Sequence, residues 1–223
     1  MTLAIFPSPA DPTQFIRDHT ALHAPPLVPE LPLYLASEVV PLWQMTEEDL
    51  SVTGLPPPYW AFAWAGGQAL ARYVLDQPAL VAGRCVLDFA AGSGLVAIAA
   101  MKAGAARAIA ADIDPFAGAA IDLNAAANGV SVERVTRDLI GTKNEEWDVV
   151  LAGDICYERP LAERVEAWLR ELAQDGATVL LGDPGRSYLP RAGLEKLTAY
   201  AVQTSRELED MDVRHTCVWR VLG

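Results

Sequence analysis

The sequence predicts a doubly wound α/β fold: a seven-stranded, mostly parallel sheet with helices on both faces, ending in an antiparallel hairpin. From Tyr59 onward, short apolar runs alternate with longer amphipathic or Ala-rich segments, the pattern of repeated strand–helix units. The runs at 149–153 (VVLAG) and 178–182 (TVLLG) are apolar on both faces, as strands covered on both sides must be. Only a turn-like stretch, Arg206 to Asp212, joins the last two strand candidates, too short for a crossover helix, so those strands should pair antiparallel.

Taken in order, residues 1–58 read as a proline-rich extension that packs on the core. Pro25-Pro26, Pro29, Pro32, Pro41 and Pro56-Pro57-Pro58 each fix a backbone angle and remove a donor. Two short helices are expected there. One opens at Asp11-Pro12, where Asp caps and Pro fits the first turn; the other lies at Thr46-Glu47-Glu48-Asp49, with acids at the positive end of the helix dipole. Residues 59–223 form the main domain. Its strands are expected near 85–89, 107–111, 131–135, 148–153, 177–182, 196–203 and 213–221, and its helices near 63–76, 93–103, 115–128 and 159–173.

A chain of 223 residues that is 52% hydrophobic can bury a sizeable core. Its formal net charge of -12 repels phosphate backbones, so nucleic acid is disfavoured as a substrate. No apolar run reaches the roughly 18 residues that a membrane span requires, and the N-terminus lacks a secretion signal pattern. Cys85, Cys156 and Cys217 sit in apolar stretches without metal-ligand spacing, which fits a reducing cytoplasm and no metal site. His19, His23 and His215 are too scattered to form a metal site or a catalytic base.

The segment Val86 to Gly94 (VLDFAAGSG) reads as strand, glycine turn and helix start. A helix N-terminus offers unpaired N–H groups, and glycine lets a ligand approach the backbone, so Gly92-Ser93-Gly94 is placed to bind one. Asp112, followed by Ile113, ends the next strand, where a carboxylate accepts hydrogen bonds from ribose hydroxyls. Gly92, Gly94 and Ala97 also satisfy the dinucleotide fingerprint, and a turn without a ligand is a third possibility. Asp88, just before the turn, would crowd a pyrophosphate but can pair with a cationic amino-acid moiety. The expected hairpin also departs from an all-parallel dehydrogenase sheet.

On these residues the chain resembles the seven-strand, Rossmann-like methyltransferases that use S-adenosyl-L-methionine. The resemblance implies that Asp88 lies near the methionine part and Asp112 holds the ribose. It also implies that Asp138 and Leu139, after the third strand, lie by the adenine. Ala90 stands where that class usually has glycine.

The strand at Trp147 to Arg159 (WDVVLAGDICYER) delivers Gly153, Asp154 and Tyr157 to the edge where doubly wound sheets bind ligands. A carboxylate there can orient a lysine ammonium, accept its proton directly or through water, and stabilise the cation that forms. An aromatic hydroxyl can pack on the alkyl stem or hydrogen-bond the nitrogen. A strand-end Asp that caps a turn beside a buried Tyr is the plainer alternative. Asp154-Ile155-Cys156-Tyr157 resembles the D-x-x-Y motif of a protein-lysine methyltransferase family, which implies that Asp154 and Tyr157 are catalytic. In that family a tryptophan upstream of the glycine motif lies near the cofactor, and Trp64 matches, with Trp60 a second aromatic; helical core packing is the alternative for both.

From about Pro56 to Pro184 the arrangement PPPYWAFAW, VLDFAAGSG, AADIDPFA and GDICYE is most similar to the lysine methyltransferases of the electron transfer flavoprotein β subunit and their bacterial relatives. The resemblance implies a lysine-bearing protein substrate, that β subunit in particular; the enzyme is expected to be cytoplasmic, from its cysteine usage, and monomeric. A small-molecule N-methyltransferase with a nicotinamide-like acceptor is the alternative, followed by an NAD-dependent oxidoreductase and a non-catalytic adaptor. Gly182 to Arg186 follows the fifth strand and either borders the acceptor entrance or forms a plain turn.

Overall fold

The computed structural model describes residues 11–36, 57–144, 146–204 and 211–223. The helix expected at Thr46–Asp49 lies outside the described residues.

Helix α1 (Pro12–His19) starts as its Asp-Pro signal predicts, with the Asp11 carboxylate accepting from the backbone of Thr13 at 2.9 Å. The described part of the extension also holds two short strands. Strands β1 (Ala21–His23) and β2 (Leu33–Leu35) pair antiparallel into a small sheet. Three polar side chains of the main domain stitch it down. Asn124 accepts from the backbone of Tyr34 at 2.7 Å, Asn128 donates to the Pro32 carbonyl at 2.8 Å, and Gln68 accepts from Leu27 at 3.1 Å. Buried Ile16 joins Trp60 and Phe116 beneath it.

The main sheet runs β5–β4–β3–β6–β7–β9–β8. Its strands are β3 (Cys85–Phe89), β4 (Arg107–Ala111), β5 (Glu133–Val135), β6 (Val149–Gly153), β7 (Thr178–Asp183), β8 (Leu194–Gln203) and β9 (Val213–Val221). The first five pair in parallel, and β9 pairs antiparallel with both β7 and β8. The short final connection therefore makes the hairpin its length demanded.

Helices α2 (Ala65–Asp76), α3 (Leu95–Lys102), α4 (Pro115–Ala127) and α5 (Arg159–Gln174) cover the sheet. Alternation along the strands divides the core. Val86, Val149, Leu151 and Leu180 meet Ala69, Leu70 and Val74 of α2, while Leu87, Val150 and Val179 meet Trp168, Leu169 and Leu172 of α5. Trp168 is 1% exposed, packs edge-on to Phe89 at 4.9 Å and donates its indole N–H to the Thr142 carbonyl at 2.8 Å. Strand order reverses between β3 and β6, which opens a crevice at their carboxyl ends.

Candidate active site

A cavity of about 730 Å³ occupies that crevice, ample for a nucleoside-sized ligand. On one side lies the glycine turn. Ala90, Gly92 and Gly94 all have positive φ (55°, 51° and 78°), so Ala90 carries strain that glycine would avoid. Gly94 caps α3, and a Cβ there would lie 3.1 Å from Ile121. It serves the turn and the packing of α4 and does not line the cavity.

Two donors of this turn and of the helix it opens are taken by carboxylates of the protein itself. Asp88 accepts from Ala97 in the first turn of α3 at 2.9 Å, and Asp112 accepts from Gly92 at 2.8 Å. Asp112 uses its other oxygen for Asp114 N–H at 3.0 Å, and Asp114 caps α4 through Phe116 at 2.8 Å. Burial pushes Asp88 up to about 7 against the Ala97 hydrogen bond, with the neighbouring Asp112 adding to the rise. Burial likewise raises Asp112, and carries Asp114 to about 6. Carboxylates held at this cost in charge favour a ligand with a positive centre over a pyrophosphate.

The neighbouring strand, β6, ends at Gly153 and is followed by Asp154, which has a φ of 57°. The Asp154 carboxylate reaches across to α2 and accepts from Gly67 N–H at 2.9 Å, capping a helix whose Trp64 N-cap makes no side-chain cap of its own. Its second oxygen takes the Arg186 guanidinium, Nη2 at 2.7 Å and Nε at 3.2 Å. Glycines make this approach possible. A Cβ on Gly66 would strike the Gly182 carbonyl and lie 2.6 Å from Asp154 Oδ2.

Around Asp154 stand aromatic rings. Tyr59 lies 5.5 Å from Tyr157 and 5.9 Å from Trp64, whose indole N–H donates to the Tyr59 carbonyl at 2.8 Å. Burial pushes the Tyr157 hydroxyl up to about 12, so it stays a donor at neutral pH. Trp60 stacks on Phe116 and still borders the cavity, so packing and lining are not exclusive there.

All the expected site residues except Gly94 and Leu139 line this one cavity: Trp64, Asp88, Ala90, Gly92, Ser93, Asp112, Ile113, Asp138, Gly153, Asp154 and Tyr157. The Leu139 side chain turns the other way, into the core beside Trp147 and Val150. Asp138 stays on the rim, where the Ile140 N–H and Arg164 hold its carboxyl below the usual range. Sequence reasoning missed Tyr59 and Asp114. Nothing local marks Tyr59, but Asp114-Pro115 repeats the Asp-Pro signal that located α1.

A seven-stranded sheet with this hairpin, and an acid-lined cavity at its reversal point, define the class: the chain is an S-adenosylmethionine-dependent methyltransferase. Residues 68–182 match the family model for ribosomal protein L11 methyltransferase (PrmA). The chain is 37% identical over 217 residues to the electron transfer flavoprotein beta subunit lysine methyltransferase of Danio rerio, covering 94% of this chain and 83% of that protein. The human protein of the same name is 37% identical over 199 residues, covering 86% and 75%. The chain belongs to the family of electron transfer flavoprotein beta subunit lysine methyltransferases.

Solved structures share the fold. The ribosomal protein L11 methylase of Lactobacillus delbrueckii subsp. bulgaricus superposes with a TM-score of 0.51 at 21% identity, over 77% of this chain and 83% of that one. Magnesium protoporphyrin IX methyltransferase from Synechocystis PCC 6803, solved with bound S-adenosylmethionine, gives 0.52 at 17% identity, over 98% and 100%.

Proposed function

We propose that this enzyme methylates lysine side chains of the electron transfer flavoprotein β subunit, working as a monomer in the cytoplasm. The observation that carries the reading is an acid of the cavity outside the hydrogen-bonded Asp112–Asp114 pair and the Asp88 contact to α3: Asp154, which lines the cavity together with Tyr59, Trp64 and Tyr157. Asp88, Asp112, Ile113 and the Ala90–Ser93 turn hold the donor, with Asp138 on the adenine side. S-adenosylmethionine supplies an electrophilic methyl group on a sulfonium when bound.

The chain's own contribution is mostly positional, since amine methylation needs a neutral nitrogen aligned with that methyl and shielded from water. Asp154 draws the lysine head group inward and stabilises the cation that forms. Because both its oxygens already accept donors, it serves better as a fixed charge than as the proton acceptor, and the lysine's proton leaves through water. Tyr157 and Trp64 flank the alkyl stem. An acidic surface suits a lysine-bearing partner.

The test incubates the purified enzyme with labelled S-adenosylmethionine and the β subunit, then with cell extract and with nicotinamide. Label on lysines of the β subunit is the expected result. Label on nicotinamide with none on protein would sink the proposal and establish the small-molecule alternative.

A further inference from the structure

We infer that Arg186 is a positioning residue of the acceptor site: by pairing with Asp154 it offsets the carboxylate's charge, so that the entering lysine is held as a neutral amine and not trapped as ammonium. The inference rests on the lysine-methyltransferase reading of the same site.

The loop that carries Arg186 is built to deliver it. Asp183, 1% exposed at the end of β7, accepts from the backbone of both Gly185 and Arg186, at 2.6 and 2.7 Å. Tyr188 donates from its backbone to the Cys156 carbonyl at 3.2 Å, which ties this loop to the Asp154–Tyr157 segment. So anchored, the guanidinium places two nitrogens on Asp154 Oδ1 and its carbon 5.7 Å from the Trp64 ring centroid. The paired side chains are only 18% and 10% exposed. A cation therefore already stands inside the ring of aromatic residues where the substrate amine must arrive.

The other groups facing this pair are the hydroxyls of Tyr59 and Tyr157, Glu158 at the rim, Asp183 and Cys156 behind the loop, and Asp112 across from Tyr157. None of these is a cation, whereas Arg186 places two nitrogens on Asp154. Beside side chains this sheltered, an unpaired carboxylate would raise the pKa of a bound lysine, which is ordinarily about 10.4. A protonated lysine has no lone pair to attack with. Arg186 acts in the opposite sense, as a like charge near the amine and as a partner for the anion. The reaction then runs in order: the lysine ammonium loses a proton to water, its nitrogen bonds the methyl carbon as the carbon–sulfur bond breaks, the electron pair goes to sulfur, and the methylammonium sheds a proton to water for any further round.

The test compares wild type with Arg186→Gln, Arg186→Met and Arg186→Lys by kcat and KM across pH, with the β subunit as acceptor and S-adenosylhomocysteine affinity as the check on folding. Losing the cation should move the half-maximal pH of kcat upward by at least about one unit. That is roughly a tenfold lower kcat near pH 8, converging with wild type at high pH, while Arg186→Lys keeps the wild-type profile. A second readout needs no protein substrate: n-butylammonium should bind the S-adenosylhomocysteine complex at least about fivefold more tightly in the Gln and Met variants. A uniform fall in kcat at every pH, or unchanged n-butylammonium affinity, would show that Arg186 only props the loop. If wild type methylates no lysine of the β subunit, the proposed substrate fails, and the n-butylammonium titration still decides Arg186.

Discussion

Replacing Asp88 with Asn should stabilise the ligand-free enzyme at alkaline pH while weakening its grip on the donor. Burial moves this carboxyl from 3.8 to about 7. The difference corresponds to about 4 kcal/mol. The sign follows from the direction: the folded state binds the proton more tightly than the unfolded chain, so stability is complete below pH 4 and is lost as pH rises to about 7. Roughly half of the loss has occurred by pH 5.5. Asn keeps the oxygen that accepts from Ala97 and cannot ionise, so it avoids the loss. Urea unfolding at pH 5.5 and 8.5 should show the variant more stable at both, by about 2 and up to about 4 kcal/mol. The donor's cationic amino-acid end should reverse the order at pH 8.5, where affinity for S-adenosylmethionine should fall at least about tenfold in the variant. At pH 5.5, where Asp88 is neutral in the free enzyme, the two proteins should differ less. Calorimetry of wild type in buffers of different ionisation enthalpy should find protons released on binding near pH 7. A variant less stable than wild type at pH 8.5, with no change in proton release, would refute the argument that Asp88 is a buried charge awaiting a cation.

Three further substitutions test the architecture around it. Gly66→Ala should cost about 3 kcal/mol or more by thermal unfolding and abolish methylation, since the new methyl strikes the Gly182 carbonyl and Asp154; an active, stable variant would show that α2 moves freely. Asn124→Ala strips partners from the Tyr34 N–H and the Ser93 carbonyl at once, so about 2–4 kcal/mol of stability should be lost, with faster proteolysis of residues 11–36. Asp154→Asn should leave S-adenosylhomocysteine affinity near normal and lower kcat at least about a hundredfold, read in the methylation assay; near wild-type turnover would move the acceptor site elsewhere.

Legibility in the sequence followed the range of the interactions involved. The main strands and helices carry their own periodicity, and the hairpin declared itself through a connection too short for anything else. Strands β1 and β2 did not, because three residues apiece among prolines present no alternation, and their hold on the fold comes from Asn124, Asn128 and Gln68 far along the chain. The site acids were readable as strand-end carboxylates, whereas their hydrogen-bond partners were not: Asp154 finds Gly67 across 87 residues of sequence. Leu139 shows the same limit on a smaller scale, since adjacent loop residues face opposite ways and only packing decides which one meets the ligand.

Those long-range pairings have a chemical logic in common. Three helices begin at the cavity, and each has one of its first backbone donors taken by an aspartate: Asp154 on α2, Asp88 on α3 and Asp114 on α4. In a pyrophosphate-binding sheet the same helix ends would face the ligand bare, with their positive poles turned to its anions. Here each pole carries a carboxylate, and five aspartates line the cavity beside three arginines. A sulfonium ligand at one end and a lysine at the other are both cations entering such a field, but they require opposite treatment. The donor must keep its charge to react, so Asp88 and Asp112 face it with no cation in the contacts described for them. The acceptor must lose its charge, and there alone, among the described residues, the capping aspartate is given an arginine.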